Sequence, residues 1–159
     1  MWVIIGLIYT NCLEWALHRY VLHGLGKTKG TIWSFHFHGH HKISRKNKGI
    51  DLDYKTWGFK KENMFLLILL LVHLPTLLLS YSFFFTLSLY TFLYYFMHRK
   101  SHLDAGFCRT WMPWHWDHHM GRDQDANWCV LFPLADYIFR TRVKYVYNDD
   151  HRAIGTITK

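Results

Sequence analysis

The chain has 159 residues, a length typical of one domain, so we expect a single domain over residues 1–159. Aromatic residues make up 19% of it and 13 residues are histidine, while three cysteines without a short-range pairing motif argue against a disulfide framework or a cysteine zinc site. The formal net charge of +8 suits a nucleic acid or an anionic membrane surface, and the placement of the charges decides between these partners.

The chain begins with an apolar stretch. Residues 2–17 carry only Asn11 and Glu14 as interruptions, without a basic leading region or a small-residue cleavage site. We therefore interpret residues 1 to about 22 as a retained membrane helix and not as a signal peptide. The polar, Gly- and Lys-rich residues 25–61 follow as a cytoplasmic segment.

A second apolar stretch predicts a membrane hairpin. The range 63–97 contains no Asp, Glu, Lys or Arg. One straight helix of this length would reach roughly 50 Å, against a hydrocarbon core of about 30 Å. We therefore predict a hairpin that turns near Ser80, with Pro75 kinking its first arm. Residues 98–159 then form a polar cap.

The charges indicate the side of the membrane. All 19 Lys and Arg residues lie outside the apolar stretches 2–17 and 63–97. Because basic residues favour the cytoplasmic side, we expect the segment 25–61 and the cap 98–159 to be cytoplasmic. The positive charge then contacts lipid headgroups, and we expect the bilayer as a partner and no nucleic acid.

Eleven of the 13 histidines fall in four motifs, each just outside an apolar stretch on the predicted cytoplasmic side. Residues three or four apart share one face of an α-helix, as His98 and His102 would, so such rings can converge on a metal ion. Imidazole suits iron, zinc, copper and nickel. Ten imidazoles exceed the roughly four to six positions of one metal ion, which favours two ions. The predicted ligands are His18, His23, His36, His40, His41, His98, His102, His115, His118 and His119.

These elements together predict an all-α fold, an integral membrane helical bundle whose cytoplasmic histidine-rich cap holds a site for two metal ions. Two histidines lie apart from this pattern. We interpret His73, in the middle of the hairpin, as a hydrogen-bonded interior residue, and His151, in the polar tail, as inert. The aromatic residues of the second hairpin arm are candidates to line a channel for a lipid chain, although lipid-facing packing explains most of them equally well.

The motifs resemble the histidine boxes of the fatty acid hydroxylase / sterol desaturase superfamily, whose members are integral-membrane non-haem di-iron oxygenases. An acidic–aromatic pair precedes residues 18–23 much as in fatty acid 2-hydroxylases, and residues 95–102 are similar to the aromatic-x-x-His-Arg-x-x-His box of sterol desaturases. Residues 127–141 resemble the family's Asn-aromatic-Gly…Asp-x-x-Phe-Gly-Thr ending. The resemblance covers 14–41 and 94–142.

The chain departs from the family pattern in two places. In fatty acid 2-hydroxylases, two residues usually separate the first histidine of the second box from its double histidine. Here three residues separate His36 from the double histidine that begins at His40. His36 and His38 therefore compete for one ligand role, and His36 is preferred. Cys129 and Arg140 replace two glycines of the ending, which leaves the role of that segment open.

The resemblance implies two iron ions as cofactors and O2 as co-substrate, with zinc as the ion that overexpression could substitute. It implies hydroxylation of a lipid C–H bond, a fatty acyl chain first among the substrates, with electrons from a separate ferredoxin or small haem protein. Carotenoid hydroxylation and lipid desaturation are alternatives within the superfamily. A non-catalytic membrane metal-binding protein is the alternative of another class.

Three further residues are candidates to support the metal site. A neutral imidazole ligand needs its second ring nitrogen held, usually by a carboxylate or a carbonyl. Glu14, one turn before His18, is the first candidate for this role, because a carboxylate within a membrane span is costly. Asp117 is a weaker candidate, which a solvated surface position explains better. Asn127 is a candidate to support a metal-bound water, and a role as a helix cap or turn residue explains it equally well.

Overall fold

The computed structural model describes residues 1–58 and 60–157 and is mostly helical, as the sequence predicts. The α-helices are α1 (Trp2–Ala16), α2 (Lys42–Lys46), α3 (Lys61–Val72), α4 (Tyr81–Leu103), α5 (Ala105–Trp111), α6 (Pro113–Met120) and α7 (Leu134–Ile138). Two π-helical segments, Leu17–Leu25 and Phe35–His41, and two 3-10 segments, Leu52–Lys55 and Leu74–Leu78, complete the helical structure of the described residues. The predicted segment 25–61 and cap 98–159 each include positions that lie outside this description.

Helices α1 and α4 form the central pair of the molecule. They approach closely at Gly6, where an added Cβ would lie 3.1 Å from the Cβ of Thr86. Deeper in the pair, the buried Asn11 side chain donates hydrogen bonds to the Tyr90 hydroxyl and to the Phe132 carbonyl, each 2.8 Å long. This polar tie joins both helices to the loop before α7.

Helix α3 is partly or fully exposed at every residue. Residues 61–78 are the one helical stretch among the described residues long and apolar enough to cross a membrane, with a mean hydropathy of 1.5, and none of them is buried. The α-helix ends at Val72, and Pro75 lies in the 3-10 turns that follow. Ser80 then caps α4, since its Oγ accepts a hydrogen bond from the Phe83 amide. The arrangement of several membrane spans below a cytoplasmic cap stays a prediction.

The cap contains a small β-sheet that the all-α prediction omitted. Strands β1 (Tyr145–Tyr147) and β2 (Ala153–Thr156) pair antiparallel. They are three and four residues long, too short for an alternating pattern to stand out in the sequence. The hairpin packs on α6, where the Tyr147 hydroxyl donates a 2.9 Å hydrogen bond to Asp117.

Candidate metal centre

The histidine motifs fold into two adjacent clusters of ring nitrogens. In each cluster, one nitrogen from every ring lies within 4.8 Å of the nitrogens of the other rings, and all the rings are buried. Cluster A consists of His18, His23, His36, His41 and His118. Cluster B consists of His40, His98, His102 and His119. His115 adjoins cluster B, because its Nε2 lies 3.0 Å from Nε2 of His102.

The two π-helical segments direct four rings into cluster A. His18 and His23 are five residues apart, and so are His36 and His41. On an α-helix, residues five apart point about 140° away from each other. The i→i+5 hydrogen bonds of a π-helix bring such residues onto one face. The unusual helix type therefore explains how each of these pairs converges.

Regular α-helices direct the rings on the other side of the centre. His98 and His102 are four residues apart near the end of α4, and His115 and His119 have the same spacing on α6. Residues four apart lie on one face of an α-helix. Pro113 occupies the first turn of α6, where its missing N–H costs nothing, and so fixes where this helix begins.

Neighbouring histidines in the chain are divided between the clusters. His40 belongs to cluster B and His41 to cluster A, while His118 belongs to cluster A and His119 to cluster B. The rings of His41 and His119 are only 4.3 Å apart between centroids. The second and fourth motifs therefore join the two clusters into one centre.

The spacing of the nitrogens fits metal ligands. The Nε2 atoms of His23 and His118 each lie 3.0 Å from Nε2 of His41, and Nε2 of His18 lies 2.9 Å from Nε2 of His36. Two ligands at right angles with metal–nitrogen bonds of about 2.1 Å are about 3.0 Å apart. Nε2 of His118 carries a lone pair, because its Nδ1–H donates to the Ala126 carbonyl at 2.7 Å.

Carboxylate or amide side chains hold the outer nitrogen of four ligands. Nδ1 of His98 donates to Glu62 at 2.6 Å, and Nδ1 of His40 donates to Asp51 at 3.0 Å. Nδ1 of His41 lies 3.0 Å from the Gln124 side-chain oxygen, and Nδ1 of His23 lies 3.4 Å from Asp125. These contacts fix each ring with Nε2 facing inward, the arrangement that metal-binding histidines require.

Backbone carbonyls hold further rings. Nδ1 of His18 donates to the Trp128 carbonyl, and Nδ1 of His102 donates to the Gly49 carbonyl at 3.0 Å. Gly49 has a φ of +91°, and an added Cβ would lie 2.4 Å from the Trp116 ring. Only glycine therefore fits at this support without displacing its neighbours.

Several buried histidine nitrogens lack a hydrogen-bond partner within residues 1–58 and 60–157. They are Nε2 of His40, Nε2 of His98, Nδ1 of His115 and both nitrogens of His119. Buried polar atoms are nearly always paired, so unpaired nitrogens gathered in one place indicate ligands for a metal ion. The donor set, the nitrogen spacing and these unpaired atoms all fit two histidine-bound metal ions.

Burial keeps the rings neutral and ready to bind. It is the largest cause lowering the pKa of His118 to about 4, and it lowers the pKa of other ligands below the ordinary value. Those ligands are His36, His40, His41, His102, His115 and His119. Burial would by itself raise the pKa of Asp51, but the hydrogen bond from His40 outweighs it and keeps this carboxylate charged.

The structure places Glu14 away from the histidine rings, in contrast to the sequence expectation. Its carboxylate accepts hydrogen bonds from the Tyr90 hydroxyl and from the amides of Val130 at 2.6 Å and Leu131 at 3.3 Å. Its charge thus satisfies backbone amides of the loop after α6. That loop also supplies the Trp128 carbonyl to His18, so Glu14 acts on cluster A only through the loop.

Cap residues bind the carboxylate of Asp117 and the side-chain oxygen of Asn127, while Nδ2 of Asn127 is buried without a hydrogen-bond partner among the described residues, so its predicted role stays a prediction. Asp117 forms an ion pair with Arg142 at 2.7 Å, and burial raises the pKa of Asp117 despite this partner. The Asn127 oxygen accepts from Arg142 and from the Val143 amide, each at 2.8 Å. Asn127 has a φ of +60°, a conformation that asparagine tolerates better than most residues. Both side chains tie the cap together, and neither forms a hydrogen bond to a histidine ring among the described residues.

The remaining histidines are accounted for by other contacts. Nε2 of His38 lies 2.8 Å from the Lys27 carbonyl, outside both clusters, so the structure brings His36 and not His38 to the centre. Nε2 of His73 lies 2.9 Å from the Tyr9 hydroxyl, and Nδ1 donates to the Leu69 carbonyl. His151 contacts Arg109 at the cap surface.

Sequence reasoning missed the acidic residues that do hold histidines. Glu62 is the single carboxylate at the start of the apolar hairpin, and that position is a signal that could have identified it. Asp51, Gln124 and Asp125 lie in polar loops without a pattern. Only the folded arrangement shows that they face a ring.

An apolar cavity of about 270 Å³ leads to the centre. It lies between α1 and α3 with α4 as its floor, and His18, His36 and Glu62 line the end nearest the clusters. Ile68 and Val72 line it from α3 although they are 48% and 68% exposed, so the cavity opens sideways between the helices.

The aromatic residues of the second hairpin arm contribute little to this cavity. Of the candidates on α4, Tyr90 and Tyr94 line it, while Tyr81, Phe85 and Phe92 are exposed on the outer surface. Lipid-facing packing therefore explains these exposed side chains better than a channel does.

The fold and the two clusters define a mostly helical metal-binding protein with an apolar cavity beside its metal centre. The fatty acid hydroxylase family model matches residues 3–141, and the chain belongs to this family, which confirms the resemblance seen in the histidine motifs. Comparison with curated proteins and with solved structures found no match.

Proposed function

We propose that the chain is a membrane-bound non-haem di-iron oxygenase that hydroxylates a C–H bond of a lipid, with a fatty acyl chain as the first candidate substrate. The observation that carries the proposal is the apolar cavity that ends at His18 and His36 of cluster A. Membership of the fatty acid hydroxylase family supports an oxidoreductase. O2 is the oxidant, and a separate ferredoxin or small haem protein supplies electrons.

Two bound iron ions would supply O2 reduction and the removal of hydrogen from an unactivated C–H bond. Clusters A and B, with His115 beside cluster B, are the residues that would hold these ions. Glu62 and Asp51 hold the outer nitrogens of His98 and His40, which fixes the direction of both rings.

The walls of the cavity would position the substrate and exclude water. Apolar side chains from α1 and α3, such as Leu17 and Leu69, hold a hydrocarbon chain in an extended form beside the centre. The same side chains exclude bulk water from the reacting carbon, which protects the reaction from side products.

The exposed α3 supports an integral membrane location. Residues 61–78 combine a mean hydropathy of 1.5 with no buried residue, as expected for a surface that faces lipid. The basic residues near the histidine motifs favour the cytoplasmic side for the metal centre. Lipids of the same bilayer would then reach the cavity through its sideways opening.

The metal centre can be tested by counting metals. Protein purified in mild detergent should contain about two iron or zinc ions per chain, and the double variant His118→Ala, His119→Ala should lose both, because it removes one ligand from each cluster. His38→Ala is the matched control and should retain both ions, since His38 lies outside the clusters.

The activity is tested by supplying 18O2 and a reduced ferredoxin to the iron-loaded protein in lipid vesicles. One 18O atom in a lipid hydroxyl group, absent from the double variant, is the expected result. Two bound metals without 18O in any lipid across several donor proteins would support a non-catalytic metal-binding protein instead. One metal or none in the wild type would contradict the two-metal centre itself.

A further inference from the structure

One hydroxyl group in the cavity has no partner. Tyr94 lines the cavity and is 9% exposed, and its hydroxyl makes no hydrogen bond to any residue that the structure describes. The other hydroxyls of the lining are occupied. Thr10 and Thr91 donate to carbonyls four residues earlier in their own helices, at 2.7 and 2.9 Å, and Tyr90 donates to Glu14.

Tyr94 lies at the metal end of the cavity. Its ring centroid is 5.4 Å from that of His98, a member of cluster B. Glu62 lines the same end, but its two oxygens are taken by His98 and by the Tyr54 hydroxyl, each at 2.6 Å. Tyr94 is therefore the hydroxyl donor that remains free for a ligand at this end.

Away from Tyr94 the cavity offers apolar side chains and no free hydroxyl donor, because the Thr10 and Thr91 hydroxyls donate within their own helices. Leu13 of α1 and Leu69 and Val72 of α3 line it, and they present no polar side-chain atom. A polar group of a bound lipid would lose its hydrogen bonds there, which is costly in an apolar environment. The two ends thus differ in what they can accommodate, and this difference sets a direction for the ligand.

We propose that the Tyr94 hydroxyl donates a hydrogen bond to the carbonyl oxygen of an acyl lipid and so orients the chain, with its carbonyl end at the metal centre and its methyl end toward Val72. This inference rests on the proposed function, because it assigns a substrate to the same cavity. A carbonyl oxygen accepts but does not donate, which matches Tyr94, the one lining hydroxyl without a partner among the described residues. Free acids, esters and amides all carry this group.

The orientation has a chemical consequence. When the carbonyl end is held, the carbon nearest the centre lies at a fixed number of bonds from the carbonyl group, whatever the length of the chain. Acyl chains of about 14, 16 and 18 carbons should therefore all be oxidised at the same position counted from the carbonyl.

The proposal can be tested by binding, without turnover. Protein in lipid nanodiscs is loaded with radiolabelled hexadecanoic acid, which is then displaced by unlabelled hexadecanoic acid, by an N-hexadecanoyl amide or by hexadecane, a chain without oxygen. The variants are Tyr94→Phe, which removes only the hydroxyl, and Tyr95→Phe, the matched control on the adjacent position outside the cavity lining. Metal content verifies that both variants are folded.

In the wild type we expect the carbonyl compounds to displace the label at several-fold lower concentration than hexadecane, as a single hydrogen bond allows. Tyr94→Phe should reduce this preference for carbonyl compounds over hexadecane by about three- to tenfold, while Tyr95→Phe should leave it unchanged. A stronger effect on the amide than on the free acid identifies the amide as the physiological source of the carbonyl, and the reverse identifies the free acid.

An unchanged preference in Tyr94→Phe would overturn the proposal while leaving the proposed function intact. Absence of saturable binding for all three chains, in protein that retains two metals, would overturn both, since the cavity would then not be a lipid site. Loss of binding for hexadecane as well, in Tyr94→Phe alone, would also overturn it. The hydroxyl would then maintain the cavity shape and not contact the carbonyl.

Discussion

Seven of the metal-facing imidazoles are oriented by the atom that the other ring nitrogen contacts. Glu62 illustrates this at the residue scale, since one oxygen accepts from His98 and the other from Tyr54. A negative acceptor makes the ring a stronger electron donor toward a metal ion and fixes its tautomer. The carboxylate therefore acts on cluster B without binding the metal.

The exchange Glu62→Gln should weaken metal binding at cluster B by about 10-fold, because an amide can still accept from His98 but carries no charge. The metal dissociation constant, measured by chelator competition, verifies this. Glu14→Gln is the control, since Glu14 contacts backbone amides and no histidine ring in the described structure. Equal losses in the two variants would contradict the assigned role of Glu62.

Burial of the ligands predicts how metal binding depends on protons. At pH 6.5, seven histidines with an ordinary pKa near 6.5 would be half protonated and would release about three or four protons when two metal ions bind. Burial lowers the pKa of seven ligands in the folded chain, that of His118 to about 4. The others are His36, His40, His41, His102, His115 and His119.

We therefore expect these seven rings to release fewer than about one proton at pH 6.5, since a lowered pKa leaves them neutral before the metal arrives. Protons should compete only as the pH falls toward about 4, the pKa of His118. Calorimetry of metal binding in two buffers of different ionisation enthalpy measures the released protons. Release of three or more would show that the metal-free rings are charged and therefore exposed to water.

At the scale of the elements, helix type decides which histidines meet. The spacing of His98 and His102 fits an α-helix and was predictable, because four residues make about one turn. The pairs His18–His23 and His36–His41 need π-helical turns, which are rare and leave no simple signature in the sequence. Sequence reasoning therefore proposed these rings as ligands without a geometry that would bring them together.

The loop between α2 and the 3-10 segment Leu52–Lys55 supports cluster B through Gly49. Gly49→Ala should lower the metal content from about two ions toward one, because the new methyl group collides with Trp116 and displaces the carbonyl that holds His102. Gly30→Ala is a matched control, since Gly30 has a similar φ of +84° but no atom within 4 Å of an added Cβ.

The left-handed backbone destabilises the folded state of each alanine variant by roughly 1–2 kcal/mol, so both variants should melt at a lower temperature than the wild type. Only Gly49→Ala should lose metal, which plasma mass spectrometry measures together with the thermal melting of each variant. Full metal content in Gly49→Ala would mean that the carbonyl of residue 49 is dispensable for cluster B.

At the scale of the whole molecule, the metal centre joins segments that are far apart in the sequence. The ligands range from His18 after α1 to His119 on α6, and two of the four motifs serve both clusters. A metal ion that binds only the folded arrangement stabilises it, by about 4 kcal/mol at a free concentration 1,000 times its dissociation constant. Ions bound at clusters A and B would therefore help to hold the cap against the helices.

Removal of the metals by a chelator should lower the melting temperature by roughly 10 °C or more, and added iron or zinc should restore it. The variant His118→Ala, His119→Ala should show neither effect, because it cannot retain the ions. Thermal melting of both proteins with and without chelator provides the measurement. An identical melting temperature for metal-free and metal-loaded wild type would show that the centre is already rigid without its ions.

The helices and the existence of a metal centre were predictable from the sequence, whereas the roles of single residues and the short strands were not. Long apolar stretches and clustered histidines indicated helices and a metal centre, because hydrophobic length and ligand type are local properties. The roles of Glu14 and Asp51 were not predictable, since each depends on which distant backbone or ring the folded chain places beside it. The short strands β1 and β2 were missed for lack of a repeating pattern.

The sideways opening between α1 and α3, where Ile68 and Val72 are exposed, determines which concentration of substrate the cavity would respond to. Under the proposed function, a lipid that enters there would arrive by diffusion within the plane of the bilayer without crossing water. Its effective concentration is the mole fraction among neighbouring lipids, and dilution of the surrounding buffer leaves it unchanged. Saturation of the enzyme would therefore be governed by membrane composition, so that a cell could tune the reaction by remodelling its lipids alone.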